Sequence, residues 1–510
     1  MVVFGATGDL ARRKLLPALY HLAAEGLMPR RYRIIGVSRS PMRDSDFRSL
    51  VRESVDIHCR CERAAAAWES FARNVSYVAD DFGPGSTATL RSAVEAAEAE
   101  LGQPSQRLFY LAVPPTAFGP ITAGVGAARL SGRAKVVYEK PYGTDLDSFA
   151  ALDRLVHGVL DERQVYRIDH FLGKETVQNI LALRFANGMF EPVWNRNHID
   201  HVQIDVPEEL GVGTRAGFYD KTGALKDMIV THLFQVLGFV AMEPPASFEE
   251  KALIDEQVKL FEAMSPLTPA DVVRGQYDDY RGINGVSPDS DTETFAAARV
   301  FIDNWRWSGV PFYLRTGKRM AERRSTVVLA FRPPPRQMFK QLSGDRFAHD
   351  HLALELGPNE GISATFLAKV PGPTVEVAPA HMDFRYDGSF GSELIEAYER
   401  LIHDALIGDR RLFTRADGIK RTWELVADVL DAPPPLHSYR QGSWGPAEAD
   451  GLIAPRRWHL PPTRSVIERD VAPTPMGSRE VGPFGSRVTT VGPTRPIRKR
   501  PLHRDAREKV

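Results

Sequence analysis

The sequence predicts two domains of different class: an α/β domain with a parallel sheet over residues 1–165, and an α+β domain with an antiparallel sheet over residues 166–460. Three observations carry this reading. Strand-like apolar runs alternate with helix-like stretches over the first 140 residues, the order that builds a parallel sheet covered by helices on both faces. Beyond about residue 165 the strand-like and helix-like runs fall in separate blocks, the texture of an α+β unit. The length, 510 residues, also exceeds what one core usually supports.

In order along the chain, Val2-Val3-Phe4 is a β-branched and aromatic run that meets a glycine turn, Gly5-Ala6-Thr7-Gly8. Leu10, Leu15, Ala18, Leu19 and Leu22 then recur near the helical period up to Gly26, with Pro17 expected to kink or break that helix. Residues 32–37, 75–78, 108–113 and 135–138 read as further strands, and Phe47, Leu50, Val51 and Val55 as one helix face. The strands at 108 and 135 stop at Pro114-Pro115 and at Glu139-Lys140-Pro141. In the second domain, residues 176–185, 224–240, 393–406 and 421–430 read as helices. Residues 202–206, 326–331, 352–356 and 362–367 read as strands.

From Pro461 onward the chain holds eight prolines and eleven Lys/Arg against five Asp/Glu, densest at Arg498-Lys499-Arg500. Such a segment cannot bury enough apolar surface to offset its chain entropy, so residues 461–510 are expected to be a disordered, basic, Pro-rich tail.

Composition excludes several classes. Apolar residues make up 43% and charged residues 25%, as in ordinary globular proteins. Lys plus Arg and Asp plus Glu both number 65, so no global nucleic-acid or membrane-surface partner is expected. No apolar run reaches the roughly 18–20 residues of a membrane span, and Met1 runs into the first strand without a basic leader. Cys59 and Cys61 are the only cysteines. They are badly spaced to staple a fold and too few for a zinc cage, so no metal and a reducing, cytoplasmic setting are expected.

Gly5 and Gly8 join a strand to a helix in the first βαβ unit. Glycines there let the backbone approach a pyrophosphate, and the helix N-terminus offers free N–H groups and a positive dipole end. The spacing departs from G-x-G-x-x-G, with Ala11 in the third place, and a plain tight turn gives the same pattern. The second strand ends Gly36-Val37-Ser38-Arg39-Ser40. An acidic residue at that point would bind the ribose hydroxyl of NAD; Arg39 suits the 2′-phosphate of NADP, unless it is a solvated loop residue. Lys14, with Arg12 and Arg13, would add positive potential nearby, unless these are ordinary helix-surface charges.

Four segments in order carry a resemblance: Gly5-Ala6-Thr7-Gly8-Asp9-Leu10 through Leu15, Glu139-Lys140-Pro141-Tyr142-Gly143, Arg167-Ile168-Asp169-His170-Phe171-Leu172-Gly173-Lys174-Glu175, and Phe312 to Arg319. The chain resembles the glucose-6-phosphate dehydrogenase family, from about residue 2 to 460. The 167–175 signature is very specific; the glycine turn alone names no family. The resemblance implies a Rossmann domain followed by an α+β domain with a large sheet. It also implies oxidation of glucose 6-phosphate at C1 to 6-phosphoglucono-δ-lactone, the first oxidative step of the pentose phosphate pathway, with NADP as acceptor and NAD as a poorer alternative. A homodimer or homotetramer goes with it.

Carried over position by position, His232 is the base and Asp169 its carboxylate partner. His170 and Lys174 match contacts to the sugar phosphate, and Arg323 a further basic one. Glu208, Asp227 and Lys318 match contacts to sugar hydroxyls, with Glu209 adjacent to Glu208. Lys140 lies near both substrate and cofactor. Gly5, Thr7, Gly8, Asp9, Leu10, Lys14, Arg39, Lys140 and Pro141 fall on the cofactor side. Phe171 stands where the family commonly has tyrosine, which removes one hydroxyl donor to the phosphate. Three other readings stay open: a related NAD(P) sugar dehydrogenase acting on another sugar or sugar phosphate, a non-catalytic NADP or sugar-phosphate sensor, and a structural or nucleic-acid role through the tail.

Overall fold

Two sheets organise the protein. The computed structural model describes residues 1–60, 65–102, 105–336, 338–339, 350–389 and 395–460; the expected tail lies outside the described residues. Residues 1–459 cluster as one unit.

The first sheet holds β1 (Val2–Phe4), β2 (Ile34–Ser38), β3 (Val75–Ala79), β4 (Arg107–Leu111), β5 (Ala134–Tyr138) and β6 (Val165–Ile168). These six are parallel in the spatial order 3-2-1-4-5-6, the doubly wound arrangement with its switch point between β1 and β4. Their Val, Ile, Leu and aromatic side chains are almost all buried, as a sheet covered on both faces requires. β6 straddles the expected border at 165/166, and a short later strand, β15 (Phe413–Thr414), pairs antiparallel with it.

The second sheet holds β7 (Ile199–Pro207), β8 (Val272–Tyr277), β9 (Phe295–Val300), β10 (Phe312–Gly317), β11 (Ser325–Phe331), β12 (His351–Gly357), β13 (Gly361–Lys369), β14 (Val377–Arg385) and β16 (Leu436–Tyr439). Its order is β14-β13-β12-β11-β7-β10-β9-β8-β16. All neighbours are antiparallel except β7 with β10 and β8 with β16, so the sheet is mainly antiparallel. Val202, Ile204 and Val206 alternate with His201, Gln203 and Asp205 along β7, and both sets are buried. The polar set is satisfied locally and by a late segment: Arg315 on β10 pairs with Asp205 and lies 4.3 Å from the Trp458 ring, His201 bonds Asp200 at 2.9 Å, and Gln203 donates to Arg457 O at 3.0 Å.

Two wide helical turns matter for the site. Residues Ala11–Leu15 form a π-turn that runs into the α-helix Leu16–Ala24. Pro17 does not break this helix. It sits in the first α-turn, and its missing N–H coincides with the widened turn before it. The second π-segment is Leu225–Leu233, followed by the α-helix Phe234–Ala241. Its i→i+5 period brings Asp227 and His232, five apart, toward one face. Cys59, the C-cap of the helix Asp44–His58, is disulfide-bonded, which the two-residue spacing did not lead us to expect.

Candidate active site

The glycine turn lies at the C-terminal ends of β1, β2 and β4. Gly5 has φ +72°, and a Cβ there would stand 2.2 Å from Ala112 O, so only glycine fits. The Gly5 and Ala6 N–H groups donate to Val37 O at 2.9 and 3.2 Å, and the Thr7 hydroxyl donates to Ser38 Oγ at 3.2 Å. Gly8 and Asp9 are exposed where the next helix begins, and Leu10 is half-buried. A compact turn without side-chain bulk, opening a helix, fits a pyrophosphate. Arg12 pairs with Glu53 at 3.0 Å, Arg13 lies 3.8 Å from Asp9, and Lys14 pairs with Glu396. Arg39, just past β2, is exposed and forms no ion pair among the described residues. Of the basic residues named here for the cofactor edge, it is the one left free for an additional phosphate.

The loops after β5 and β6 are neighbours because those strands pair. They present Lys140-Pro141, whose peptide is cis, and Asp169 to Lys174. Arg167 anchors the second loop from below. It is 1% exposed and bonds Glu162 and Asp153 at 2.8 and 3.0 Å. Gly173 lets the helix Ala397–Ile407 come close, since a Cβ there would meet Ala397 O at 2.7 Å.

His232 is fully buried, and its Nδ1 lies 2.6 Å from Asp169 Oδ1. The same oxygen accepts the Phe171 N–H at 2.8 Å. A carboxylate accepts, so Nδ1 carries the proton and Nε2 keeps a lone pair. That Nε2 is buried without a hydrogen-bond partner. Burial, with Lys140, Lys174 and Lys318 nearby, pushes the imidazole well below its ordinary value, against Asp227. Burial raises the Asp169 carboxyl to about 6, against His170, the Phe171 N–H, Lys140 and Lys174. The pair therefore holds a neutral imidazole at neutral pH. Asp169, His170 and His232 bring one ligand atom each within 4.8 Å of one another, but Nδ1 and Oδ1 are already bonded to each other.

Around this pair the basic side chains fall into two groups. Lys140 donates to Asp227 Oδ1 at 3.1 Å, and Lys318 pairs with Glu208. The second contact follows from the parallel register of Pro207 with Gly317, which sets the next residues side by side. Burial would raise the Asp227 carboxyl, but Lys140 and Lys318 hold it at about 2. By contrast, His170, Lys174 and Arg323 have no carboxylate partner among the described residues. The Lys174 ammonium stands 3.7 Å over the Phe171 ring, which itself stacks on His232 at 4.6 Å. Burial lowers Lys174 to about 8, opposed by Asp169 and aided by Arg323. Burial also lowers His170, with His232 and Lys140 adding to the shift. Arg323 is exposed before β11. Unpaired Lys174 and Arg323, with a neutral His170 beside them, leave the pocket short of an anion.

The sequence assigns no role to three neighbours, although Glu139 lies in the 139–143 segment that carries the resemblance. Tyr398 lies parallel to His170 at 6.2 Å. Tyr219 sits under Lys318 at 5.6 Å, its hydroxyl buried. Glu139 is buried, accepts the Tyr110 hydroxyl at 2.6 Å, and is pushed up to about 7 by burial. Tyr398 and Tyr219 come from elements distant in sequence from His170 and Lys318.

Comparison with known proteins gives a consistent result. Residues 2–179 match the family model "Glucose-6-phosphate dehydrogenase, NAD binding domain", and residues 181–459 match "Glucose-6-phosphate dehydrogenase, C-terminal domain". The chain is 40% identical over 484 residues to glucose-6-phosphate 1-dehydrogenase 2 of Mycobacterium tuberculosis, covering 90% of this chain and 94% of that one. A solved glucose-6-phosphate 1-dehydrogenase from Mycobacterium avium superposes with a TM-score of 0.81 at 37% identity, over 91% of this chain and 98% of that one. A glucose-6-phosphate dehydrogenase in complex with its substrate glucose 6-phosphate superposes with a TM-score of 0.83 at 33% identity, over 90% and 98% of the two chains.

Proposed function

The chain belongs to the glucose-6-phosphate dehydrogenase family, and on that premise we propose that it oxidises β-D-glucose 6-phosphate at C1 to 6-phosphoglucono-δ-lactone with NADP as acceptor, the first oxidative step of the pentose phosphate pathway. The observation that carries this reading is the pairing pattern: a buried imidazole with a free Nε2 beside unpaired His170 and Lys174. His232 Nε2 takes the C1 hydroxyl proton as hydride leaves C1. Asp169 fixes the tautomer through Nδ1–H and stabilises the imidazolium that forms. His170, Lys174 and Arg323 hold the phosphate dianion. Glu208, Asp227 and Lys318 orient the sugar hydroxyls, and Lys140 stands between sugar and nicotinamide.

NADP, when bound, supplies the acceptor carbon. Gly5, Thr7, Gly8, Asp9, Leu10 and Lys14 line its pyrophosphate side, Arg39 meets the 2′-phosphate, and Lys140 with Pro141 faces the nicotinamide end. The accompanying domain reading is a nucleotide-binding part to residue 165 and a substrate part over 166–460. A homodimer or homotetramer, open to test by sedimentation, and a cytoplasmic location complete the proposal. No helix among the described residues is long and apolar enough to cross a membrane.

The test is the initial rate of reduced-nicotinamide formation with glucose 6-phosphate or glucose, each with NADP or NAD. Turnover only with the phosphorylated sugar, fastest with NADP, is expected. A preference for free glucose would overturn the substrate assignment, and a preference for NAD the role of Arg39. The unpaired cations weigh against a free-sugar dehydrogenase, since an uncharged sugar gives no reason to collect them.

A further inference from the structure

A small cavity of about 40 Å³ adjoins the catalytic pair. Glu139, Asp169, Thr231, Gln235, Thr422 and Trp423 contribute to its wall. One water needs roughly 10–15 Å³ by this measure, together with two to four polar partners. The wall offers them. Asp169 is 3% exposed, and its Oδ2 has no hydrogen-bond partner. Gln235 is 3% exposed, and its Oε1 accepts from Gln257 Nε2 at 3.2 Å. Its amide orientation is thereby set, and its own Nε2 hydrogens are left to donate. The Thr231 and Thr422 hydroxyls donate to Asp227 O at 2.5 Å and Ile419 O at 2.8 Å, which leaves their oxygens as acceptors. Glu139 Oε1 is taken by Tyr110, and Oε2 remains.

We infer that this cavity is a buried-water site, and that Gln235 is a positioning residue which supports Asp169 Oδ2 through that water. The inference rests on the proposed role of the His232–Asp169 pair. An ionised carboxylate oxygen buried without a donor is disfavoured, and the protonated acid gains at its expense. The catalytic pair needs the ionised form, because a negative carboxylate stabilises the imidazolium that forms when His232 takes the proton. A water that accepts from Gln235 Nε2 and donates to Asp169 Oδ2 supplies the missing bond. Its second hydrogen goes to a threonine oxygen or to Glu139. With Oδ1 held by Nδ1–H and the Phe171 N–H, a bond at Oδ2 fixes the plane of the carboxylate. The groups whose charge acts on Asp169 are His232, His170, Lys140, Lys174, Glu139 and Tyr398; Gln235 is neutral, so its removal leaves that set unchanged.

The test has two arms. A crystal structure of the full chain at a resolution that shows waters is expected to place ordered density within hydrogen-bond distance of both Asp169 Oδ2 and Gln235 Nε2. A dry cavity would overturn the proposal. In solution, Gln235→Leu is close in size and lacks the donors. It is expected to lower kcat about tenfold with the KM for glucose 6-phosphate unchanged, the loss of one hydrogen bond to a charged group. The same variant is expected to raise the acid limb of the kcat/KM profile by about one pH unit, the equivalent of that factor of ten. Thr422→Val, from the opposite wall, is expected to shift both in the same direction by less, and it decides the matter if Gln235→Leu does not fold. A purely structural role would lower Tm and leave kcat and the acid limb in place, which would overturn the proposal. His232→Asn separates the two levels: if it keeps full activity, the assignment of the base falls; if it is inactive while Gln235→Leu is silent, only the water site falls.

Discussion

The two halves of the site are built on opposite plans. The proposed nucleotide edge is made of backbone and exposed side chains: a glycine turn at the ends of β1 and β2, and an exposed Arg39 without an ion pair among the described residues. The sugar pocket is made of buried, pre-oriented side chains, with His232 at 0% and Asp169 at 3% exposure. Within the pocket a second contrast repeats the first. Lys140 and Lys318 are already neutralised by Asp227 and Glu208, whereas His170, Lys174 and Arg323 have no carboxylate partner among the described residues. On the proposed reading, exposed contacts would tune which cofactor is preferred, and each can be exchanged at little structural cost. Buried contacts fix protonation states, so a single change there alters the chemistry itself.

If the unpaired cations serve the phosphate, Lys174→Ala raises the KM for glucose 6-phosphate by about ten- to a hundredfold, the range of a charged hydrogen bond. The KM for NADP stays where it was; an equal rise there would place Lys174 in general pocket structure. The pH profile tests the same pocket without mutation. Asp169 must be ionised, so kcat/KM falls about tenfold per unit below about 6. Lys174 must be charged, so substrate affinity weakens as pH rises through about 8. The pair titrates as a unit, and the acid limb belongs to both residues. On the exposed edge, Arg39→Ala is expected to raise the KM for NADP about tenfold and leave that for NAD unchanged. Equal effects on both cofactors would remove Arg39 from the 2′-phosphate. The smallest effect expected is that of Phe171→Tyr. Restoring one neutral hydrogen bond, worth about 0.5–1.5 kcal/mol, lowers the KM for glucose 6-phosphate by about two- to tenfold.

Much of this arrangement is legible in the sequence because local patterns report local structure. β1, β2, β3, β4 and β5 follow from short β-branched and aromatic runs, and the helix Glu175–Phe185 from its periodicity. Other strands hide for identifiable reasons. β9 reads Phe-Ala-Ala-Ala-Arg-Val and β14 carries Pro379, so neither has a strand-like composition; pairing with buried neighbours makes the first a strand, and an edge position tolerates the second. The π-segment Leu225–Leu233 reads as a plain helix, because the extra residue per turn leaves no composition signal. The contact between Asp169 and His232 spans 63 residues. Only family resemblance pairs them beforehand; spacing does not. Tyr398, Tyr219 and Gln235 escape for the same reason, since burial by distant elements gives them their surroundings.

The most direct single measurement is kcat for His232→Asn beside the dissociation constant for glucose 6-phosphate. Asparagine at 232 lacks the basic Nε2 and leaves the cation cluster untouched. A kcat about a hundred- to ten-thousandfold lower, the usual contribution of a general base, with the dissociation constant unchanged, is the predicted result. A kcat within tenfold of the parent enzyme would contradict the assignment of the base and of the buried pair that holds it.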